Sequence, residues 1–154
     1  MTRSAAPMPV VLLSVRSPHV DRLLDGTKTI EFRRRRWNVP DGARVLLYAS
    51  RDHRAIVGSL TVKKTHVGSR TAIWDAHGDR SGLTRQEYRD YFAGADIAVA
   101  IEVQDIARLP EPLDLTELRR RSPGFLVPQS YRFLRRDELR VTLNGERQAL
   151  LGDN

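Results

Sequence analysis

Apolar and polar positions divide the first part of the chain into short strands and one helix. Residues 10–15 are almost continuously apolar, which predicts a strand buried on both faces. A helical apolar stripe follows Ser17-Pro18, where the serine is expected to cap the helix, and Gly26 is suited to end it. We predict a strand over residues 29–36 with one apolar and one charged face. Alternation places Ile30 and Phe32 on the first face and Thr29, Glu31, Arg33 and Arg35 on the second.

The rest of the chain continues with strands that are interrupted by capped helices. Thr84 and Glu87 form a capping box, and Asp114 is placed to cap another helix. Periodicity does not decide between strand and helix for residues 127–134 and 139–143. Strands with inserted helices, rather than strict alternation, favour the α+β class. We predict strands at residues 45–50, 56–62 and 97–103, and a mainly helical insertion at 69–96.

Length and composition indicate one globular domain with a basic surface. The 154 residues fit a single domain, which we place at residues 10–151 between loose termini at 1–9 and 152–154. The formal net charge of +7 favours a polyanionic partner and does not choose among RNA, DNA and an anionic surface, although a solvated arginine-rich surface gives the same charge. The absence of cysteine excludes disulfides and Cys-based zinc sites. Without a long apolar stretch or a signal-peptide layout, we expect a cytoplasmic protein with no membrane partner and leave its oligomeric state open.

A lysine, a carboxylate and an arginine lie together in the segment Gly26-Thr27-Lys28-Thr29-Ile30-Glu31-Phe32-Arg33. The chain contains 23 Arg but only 3 Lys, which draws attention to Lys28. A partly buried lysine can lose its proton and act as a base or nucleophile, whereas arginine stays charged. The alternative is an ordinary cation at a strand end. Glu31 is likewise either a general base or the ion-pair partner of Lys28 or Arg33.

Several side chains outside this segment are candidates for binding. Trp37 and Tyr48 either offer surfaces on which unpaired bases stack or belong to the core. Ser130 and Arg132 either place a hydroxyl and a cation in a cleft or belong to a turn that enters a strand. The run of four arginines at residues 33–36 alternates faces if it is extended, so at most two of them can follow one phosphate track.

The histidines do not predict a metal site. His53, His66 and His77 form no helical i, i+4 pair, so we expect solvated or locally bonded rings and no resident metal. Asp75 and Asp79 flank His77 at i, i+4 and could hold a weakly bound divalent cation such as magnesium if the segment is helical. A divalent ion carried by the RNA is equally compatible.

The segment 26–33 matches the Gly-x-Lys-x-x-Glu-x-Arg signature of ASCH domains, which belong to the PUA-like superfamily. The chain resembles that family over about residues 10–135. The resemblance implies a small, partly open β-barrel with flanking and inserted helices, and a cleft that binds RNA, nucleotides or modified nucleosides. The other segments that resemble ASCH sequences are Leu13-Ser14-Val15-Arg16-Ser17-Pro18, Gly82-Leu83-Thr84, Tyr91-Phe92-Ala93-Gly94, residues 98–103 and Pro128-Gln129-Ser130-Tyr131-Arg132.

Characterised members of the family that this chain resembles include a single-strand ribonuclease and an amidohydrolase that removes the acetyl group from N-acetylated cytidine. In the amidohydrolase branch, the motif lysine acts with a threonine three residues later and a glutamate from the following helical region. Here Lys28 matches, Glu31 stands in place of the threonine, and Asp79 is the candidate third group. In the ribonuclease branch a lysine, a tyrosine and a serine are implicated, for which Lys28, Tyr48 and Ser130 are chemically suitable counterparts.

These observations define a predicted cleft and three hypotheses for its function. The first is RNA binding with cleavage of single-stranded RNA, in which Lys28 stabilises the transition state and Glu31 or a hydroxyl moves protons. The second is hydrolysis of an acylated nucleoside. The third is a regulatory module that binds a nucleotide or a protein without chemistry. The predicted catalytic residues are Lys28, Glu31, Asp79 and Ser130. The predicted substrate-binding residues are Ser14, Arg16, Arg33, Trp37, Tyr48, Ser50, Tyr131 and Arg132.

Overall fold

Six strands form one sheet that curls into a half-barrel in the computed structural model, which describes residues 8–152. The strands are β1 (Val10–Arg16), β2 (Ile30–Arg33), β3 (Arg44–Ser50), β4 (Ala55–Gly68), β5 (Ala98–Asp114) and β6 (Tyr131–Leu134). The helices are α1 (His19–Asp25), α2 (Arg70–His77), α3 (Arg85–Tyr91), α4 (Leu115–Arg121), α5 (Arg136–Thr142) and α6 (Arg147–Leu151), and a short 3-10 turn, Gly78–Arg80, follows α2.

The strand order is β2-β5-β4-β3-β1-β6, with β1 parallel to β3 and every other neighbouring pair antiparallel. The predicted α+β class and partly open barrel are therefore confirmed. The predicted helical insertion is also present, because α2 and α3 lie between β4 and β5. Of the two undecided segments, the first contains β6 and the second lies mostly in α5.

Three strand lengths differ from the sequence-based expectation. β2 ends at Arg33, so residues 34–36 continue past it as an exposed bend. These three residues are all arginine, so the segment has no apolar side chain to bury against the rest of the sheet. β4 and β5 run several residues further than predicted. Their outer parts, residues 63–68 and 104–114, are largely exposed to solvent. These residues pair through backbone hydrogen bonds, but their sequence lacks the regular apolar-polar alternation from which a strand is predicted.

Helix α1 ends as predicted but begins differently. The prediction that Ser17 caps it is wrong, because Pro18 occupies the cap position and no side chain caps the first turn. Gly26 closes the helix in the left-handed conformation, at φ 84°, and donates its N–H to the carbonyl of Leu23. Lys28 N–H then donates to the carbonyl of Arg22 at 3.0 Å, so the chain folds back over the helix end before entering β2.

Apolar side chains cover both faces of the sheet. Alternate residues of β1 and β3, such as Leu13 and Leu47, pack with α1 on one face. Leu12 and its neighbours pack with α4, α5 and α6 on the other face. A third cluster fixes the inserted helices, in which Phe32 of β2 meets the Tyr88 ring edge to face at 4.9 Å between centroids. The insertion is thereby held against the same strand that carries the charged motif.

The inserted and following helices use the predicted caps. Thr84 and Glu87 make both hydrogen bonds of the capping box, and the Asp114 carboxylate accepts the N–H of Glu117 at 2.8 Å. Within residues 8–152, each helix is too short and too polar to cross a membrane. Most of the expected loose termini, residues 1–7 and 153–154, lies outside the described part of the chain.

We expect Gly58→Ala to destabilise the protein by about 1–3 kcal/mol through overpacking. Gly58 lies at a register shift of β4, and an added Cβ would press against the carbonyl oxygen of Ala107 and lie 2.6 Å from Cδ2 of Leu24 on α1. Urea unfolding at equilibrium measures the change. Gly145→Ala is the matched control, since a Cβ there meets no atom within 4 Å in the described structure. Equal free energies of unfolding for the two variants would contradict this account of the packing.

Candidate functional site

A cleft of about 950 Å³ opens where β1, β2 and the end of β3 meet α1, α3 and the loop before β6. Its walls come from segments far apart in the chain, so only the folded protein assembles it. Side chains of both charges line it, with cations outnumbering carboxylates at the sheet side. The polar and charged residues of the lining are Ser14, Arg16, His19, Lys28, Glu31, Arg33, Ser50, Arg51, Glu87, Asp90, Tyr91 and Gln129.

Lys28 is an almost fully buried cation in the cleft wall, with 1% of its surface exposed. Its Nζ donates to the carbonyl oxygen of Ser81 at 2.7 Å and lies 3.5 Å from Oε1 of Glu31. The ammonium group also lies 5.8 Å from the centroid of the Phe32 ring. Burial lowers the pKa of Lys28 below its ordinary value, and the nearby Glu31 carboxylate opposes part of that effect. This lysine is therefore easier to deprotonate than a solvated one.

Glu31 and Arg33 connect Lys28 to β1. Arg33 Nη2 lies 3.1 Å from Oε2 of Glu31 and donates to the carbonyl oxygen of Ser14, also at 3.1 Å. The Ser14 hydroxyl donates to the carbonyl oxygen of Pro128 at 2.7 Å, which ties the loop before β6 to the same wall. Arg33 Nε is buried and has no hydrogen-bond partner within residues 8–152. It is a desolvated donor beside the cleft, and an acceptor that reached it would recover the cost of its burial.

His19 is a cleft residue that the sequence analysis missed. It begins α1 and is half-buried, and its Nδ1 is buried without a partner in the described structure. Burial lowers the pKa of His19, and the positive charge of Lys28 lowers it further. A neutral imidazole therefore faces the motif. No spacing rule singles out this histidine, because helix α1 and the turn at Gly26 separate it from Lys28 in sequence.

The inserted helix α3 forms the wall opposite the sheet. The Tyr91 hydroxyl donates to the carbonyl oxygen of Phe32 at 3.2 Å, and burial raises its pKa. Glu87 serves the capping box, and its bond to the N–H of Thr84 lowers the pKa of the carboxyl group. These contacts hold α3 beside β2, so the insertion helps to shape the cleft.

The structure brings six of the twelve predicted site residues into the cleft lining, namely Ser14, Arg16, Lys28, Glu31, Arg33 and Ser50. Two predicted stacking residues have core positions instead. Tyr48 is 2% exposed and packs among leucines on the far face of the sheet. The Trp37 indole N–H donates to the Thr65 hydroxyl at 3.1 Å, and its ring meets that of Tyr131 edge to face. The aromatic rings of Tyr48 and Trp37 thus contact other side chains of the protein and are not free to stack on a base.

The other predicted residues lie near the cleft or away from it. Ser130 is exposed, and its carbonyl oxygen accepts the N–H of Ser14 at 2.9 Å, so its backbone borders the cleft wall. Arg132 makes a two-point ion pair with Glu138 at 2.9 and 2.8 Å. Asp79 is exposed on the 3-10 turn and does not line the cleft. Catalytic or binding roles for these residues stay predictions.

The histidines partly follow the expectation of local bonding. His53 is exposed in the turn between β3 and β4. His66 Nε2 lies 2.6 Å from Oε1 of Glu102, and Arg80 Nη2 lies 2.9 Å from Nδ1 of His77. The sequence spacing did not predict that His66 and His77 meet, because β4 and the end of α2 approach each other only in the folded chain. Asp75 and Asp79 are both exposed.

A family model and a characterised protein match most of this chain. Residues 8–121 match the family model described as a domain of unknown function, DUF365. An ASCH domain-containing ribonuclease of Zymomonas mobilis is 33% identical over 116 residues, which cover 75% of this chain and 78% of that protein.

Solved structures show the same architecture. The crystal structure of ASCH from Zymomonas mobilis superposes with a TM-score of 0.80 at 29% identity, over 88% of this chain and 94% of that one. Structures of a tyrosine-to-phenylalanine and a serine-to-alanine variant of that protein give TM-scores of 0.80 and 0.79 at 28% identity, over 88% of this chain and 97% and 94% of theirs. The chain therefore belongs to the ASCH domain family, and most of its length matches DUF365.

Proposed function

We propose that this chain binds single-stranded RNA in the cleft and cleaves it there. The observation that carries the proposal is the buried Lys28, which is fixed in the wall of a cleft whose sheet side has more cations than carboxylates. Its ammonium group has three N–H donors, and Ser81 and Glu31 account for two of them. The third can bind a phosphate oxygen. The relationship to a protein named as a ribonuclease supports RNA as the polyanion.

The arrangement suits phosphodiester cleavage in two respects. Lys28 and Arg33 place positive charge where negative charge develops on the phosphoryl oxygens in the transition state. Glu31 lies between these two cations, with its carboxylate oxygens 3.5 Å from Lys28 Nζ and 3.1 Å from Arg33 Nη2, and we assign it the role of accepting the proton of the attacking hydroxyl. Arg16 and Arg51 at the exposed rim supply sequence-independent contacts to neighbouring phosphates. A magnesium ion that accompanies the RNA would add charge neutralisation at the same oxygens.

One observation favours a second candidate, the hydrolysis of an acylated nucleoside. Burial lowers the pKa of Lys28, as a catalytic lysine base requires. In this reaction neutral Lys28 would activate water for attack on the amide carbonyl, and Glu31 would replace the threonine of the amidohydrolase branch. The two candidates therefore need opposite protonation states of the same lysine.

Lys28→Met should abolish cleavage of end-labelled single-stranded RNA on a denaturing gel. The substitution keeps the volume of the buried side chain and removes the charge that contacts phosphate. Reactions are run with magnesium and with chelator, so that a requirement for the ion is visible. Lys64→Met is the matched control, because Lys64 is an exposed lysine of β4 outside the cleft lining.

Thermal melts of both variants show whether they fold. Cleavage that persists in folded Lys28→Met would rule out a catalytic role for this lysine. Intact RNA with the wild-type protein in both conditions would direct attention to N-acetylated cytidine as the substrate.

The pH dependence of kcat distinguishes the two candidates. If Lys28 acts as a cation, RNA cleavage should decline as pH rises through a lysine pKa below the ordinary 10.5, because burial favours the neutral form. If Lys28 is the base, turnover of the acylated nucleoside should rise over the same range. Rates are compared between about pH 6 and 10 after subtraction of the protein-free background. An RNA cleavage rate that increases up to the alkaline end would contradict the cationic role.

Arg16→Ala should reduce the salt dependence of RNA binding. Each phosphate contact contributes about −0.7 to the slope of log K against log salt concentration for a single strand, so loss of one contact lowers its magnitude by about that amount. Fluorescence anisotropy with a labelled oligonucleotide gives the slope. Arg140→Ala serves as the control, since Arg140 is an exposed arginine of α5 outside the cleft. An identical slope for Arg16→Ala and the wild type would remove Arg16 from the RNA path.

A further inference from the structure

A second group of ligand-type side chains lies outside the cleft, where β4, β5 and the end of α2 meet. His66 and Glu102 share one face of the β4–β5 ladder, because Ala100 pairs with His66 and Glu102 lies two residues further along β5. His77 is the last residue of α2 and is buried, and its ring lies 4.3 Å from the His66 ring between centroids. One ligand atom from each residue lies within 4.8 Å of the others.

Arg80 currently supplies positive charge to this group. Its Nη2 lies 2.9 Å from His77 Nδ1, and its Nη1 lies 3.9 Å from Oε2 of Glu102. The Arg80 side chain is 44% exposed, so it can leave toward solvent at little cost. A cation bound among the two imidazoles and the carboxylate would take over its electrostatic role.

We propose that His66, His77 and Glu102 form a binding site for a divalent transition-metal ion of the zinc type, which replaces the Arg80 guanidinium. Two imidazole nitrogens and one carboxylate oxygen are a donor set that zinc accepts, with a fourth position left for water. Imidazole suits zinc, copper and nickel, whereas magnesium and calcium prefer oxygen ligands. This donor set therefore favours a metal different from any magnesium ion that accompanies RNA in the cleft.

The side chains have to shift to bind the ion, because ligand atoms that lie up to 4.8 Å apart must come to about 3.3 Å from one another around a tetrahedral zinc ion. His66 Nε2 and Glu102 Oε1 are 2.6 Å apart, as a shared hydrogen requires. Two ligands of a tetrahedral zinc ion are about 3.3 Å apart, given bonds of about 2.0–2.1 Å. Replacing the shared hydrogen by the metal therefore separates these atoms by roughly 0.7 Å. His77 binds through whichever ring nitrogen is unprotonated once Arg80 has left, since a neutral imidazole carries its proton on the other one.

The site is linked to Lys28 through one short segment. The Arg80 carbonyl oxygen accepts the N–H of Thr29 at 2.9 Å, and the next residue, Ser81, accepts the Lys28 ammonium group. A metal bound to His77 would join the start of this segment to β4 and β5. Metal loading is thus expected to stiffen the support of Lys28 and to raise the melting temperature of the whole chain.

Isothermal titration of the metal-free, tag-free chain with zinc chloride tests the proposal without reference to RNA. We expect one equivalent of zinc to bind, and Co²⁺ at the same site to give visible d–d absorption. His77→Ala and Glu102→Gln should each weaken binding at least about tenfold. His53→Ala is the matched control, because His53 is exposed in a turn and is absent from the group. Binding unaffected by the first two variants, or no binding by the wild type, would overturn the proposal.

Arg80→Ala gives an independent test that keeps all three ligands. It should bind zinc more tightly than the wild type, because the competing guanidinium is gone. This result supports the site even where His77→Ala fails to fold, which circular dichroism of the metal-free variants reveals. Unchanged or weaker binding by Arg80→Ala would show that the metal does not replace the arginine, and would overturn the proposal in this form.

Discussion

The cleft depends on one constraint, the burial of the Lys28 charge. Moving an ammonium group out of water costs several kcal/mol unless the protein supplies partners. Here the partners are the Ser81 carbonyl oxygen, the Glu31 carboxylate and the face of the Phe32 ring. Ser81 lies in the loop between the inserted helices α2 and α3. Glu31 and Phe32 are successive residues of β2 and therefore lie on opposite faces of that strand. The fold therefore has to bring the insertion against β2 before the lysine is stabilised.

The same requirement explains the organisation around the lysine. Glu31 would be an isolated carboxylate at a buried position without Lys28 and Arg33, and these contacts extend the network to Ser14 on β1. The aromatic packing of Phe32 against Tyr88 holds α3 at the distance that this network needs. Charge and packing thus act together. The apolar face of β2 packs against the inserted helices and positions them, and the charged face of β2 forms one wall of the cleft opposite α3.

The elements that could be predicted from the sequence are those that neighbouring residues determine. Gly26, the capping box at Thr84 and the alternation of β2 are local signals, and the structure contains all three elements. The family signature located Lys28, which does line the cleft. His19 could not be predicted as a cleft residue, because its position depends on how α1 packs against the rest of the fold. Tyr48 was predicted to stack on bases, because alternation along a strand does not reveal which face of the sheet the helices cover.

The contact between Lys28 and Ser81 joins residues that are 53 positions apart in the sequence. Contacts between distant segments form only after the ordering cost of the intervening chain has been met, so this one depends on docking of the whole insertion. A local opening of the insertion would return Lys28 to water with an ordinary affinity for protons. The buried lysine with its lowered pKa therefore exists only when the insertion is docked, and a nascent or partly unfolded chain carries a solvated surface lysine in its place.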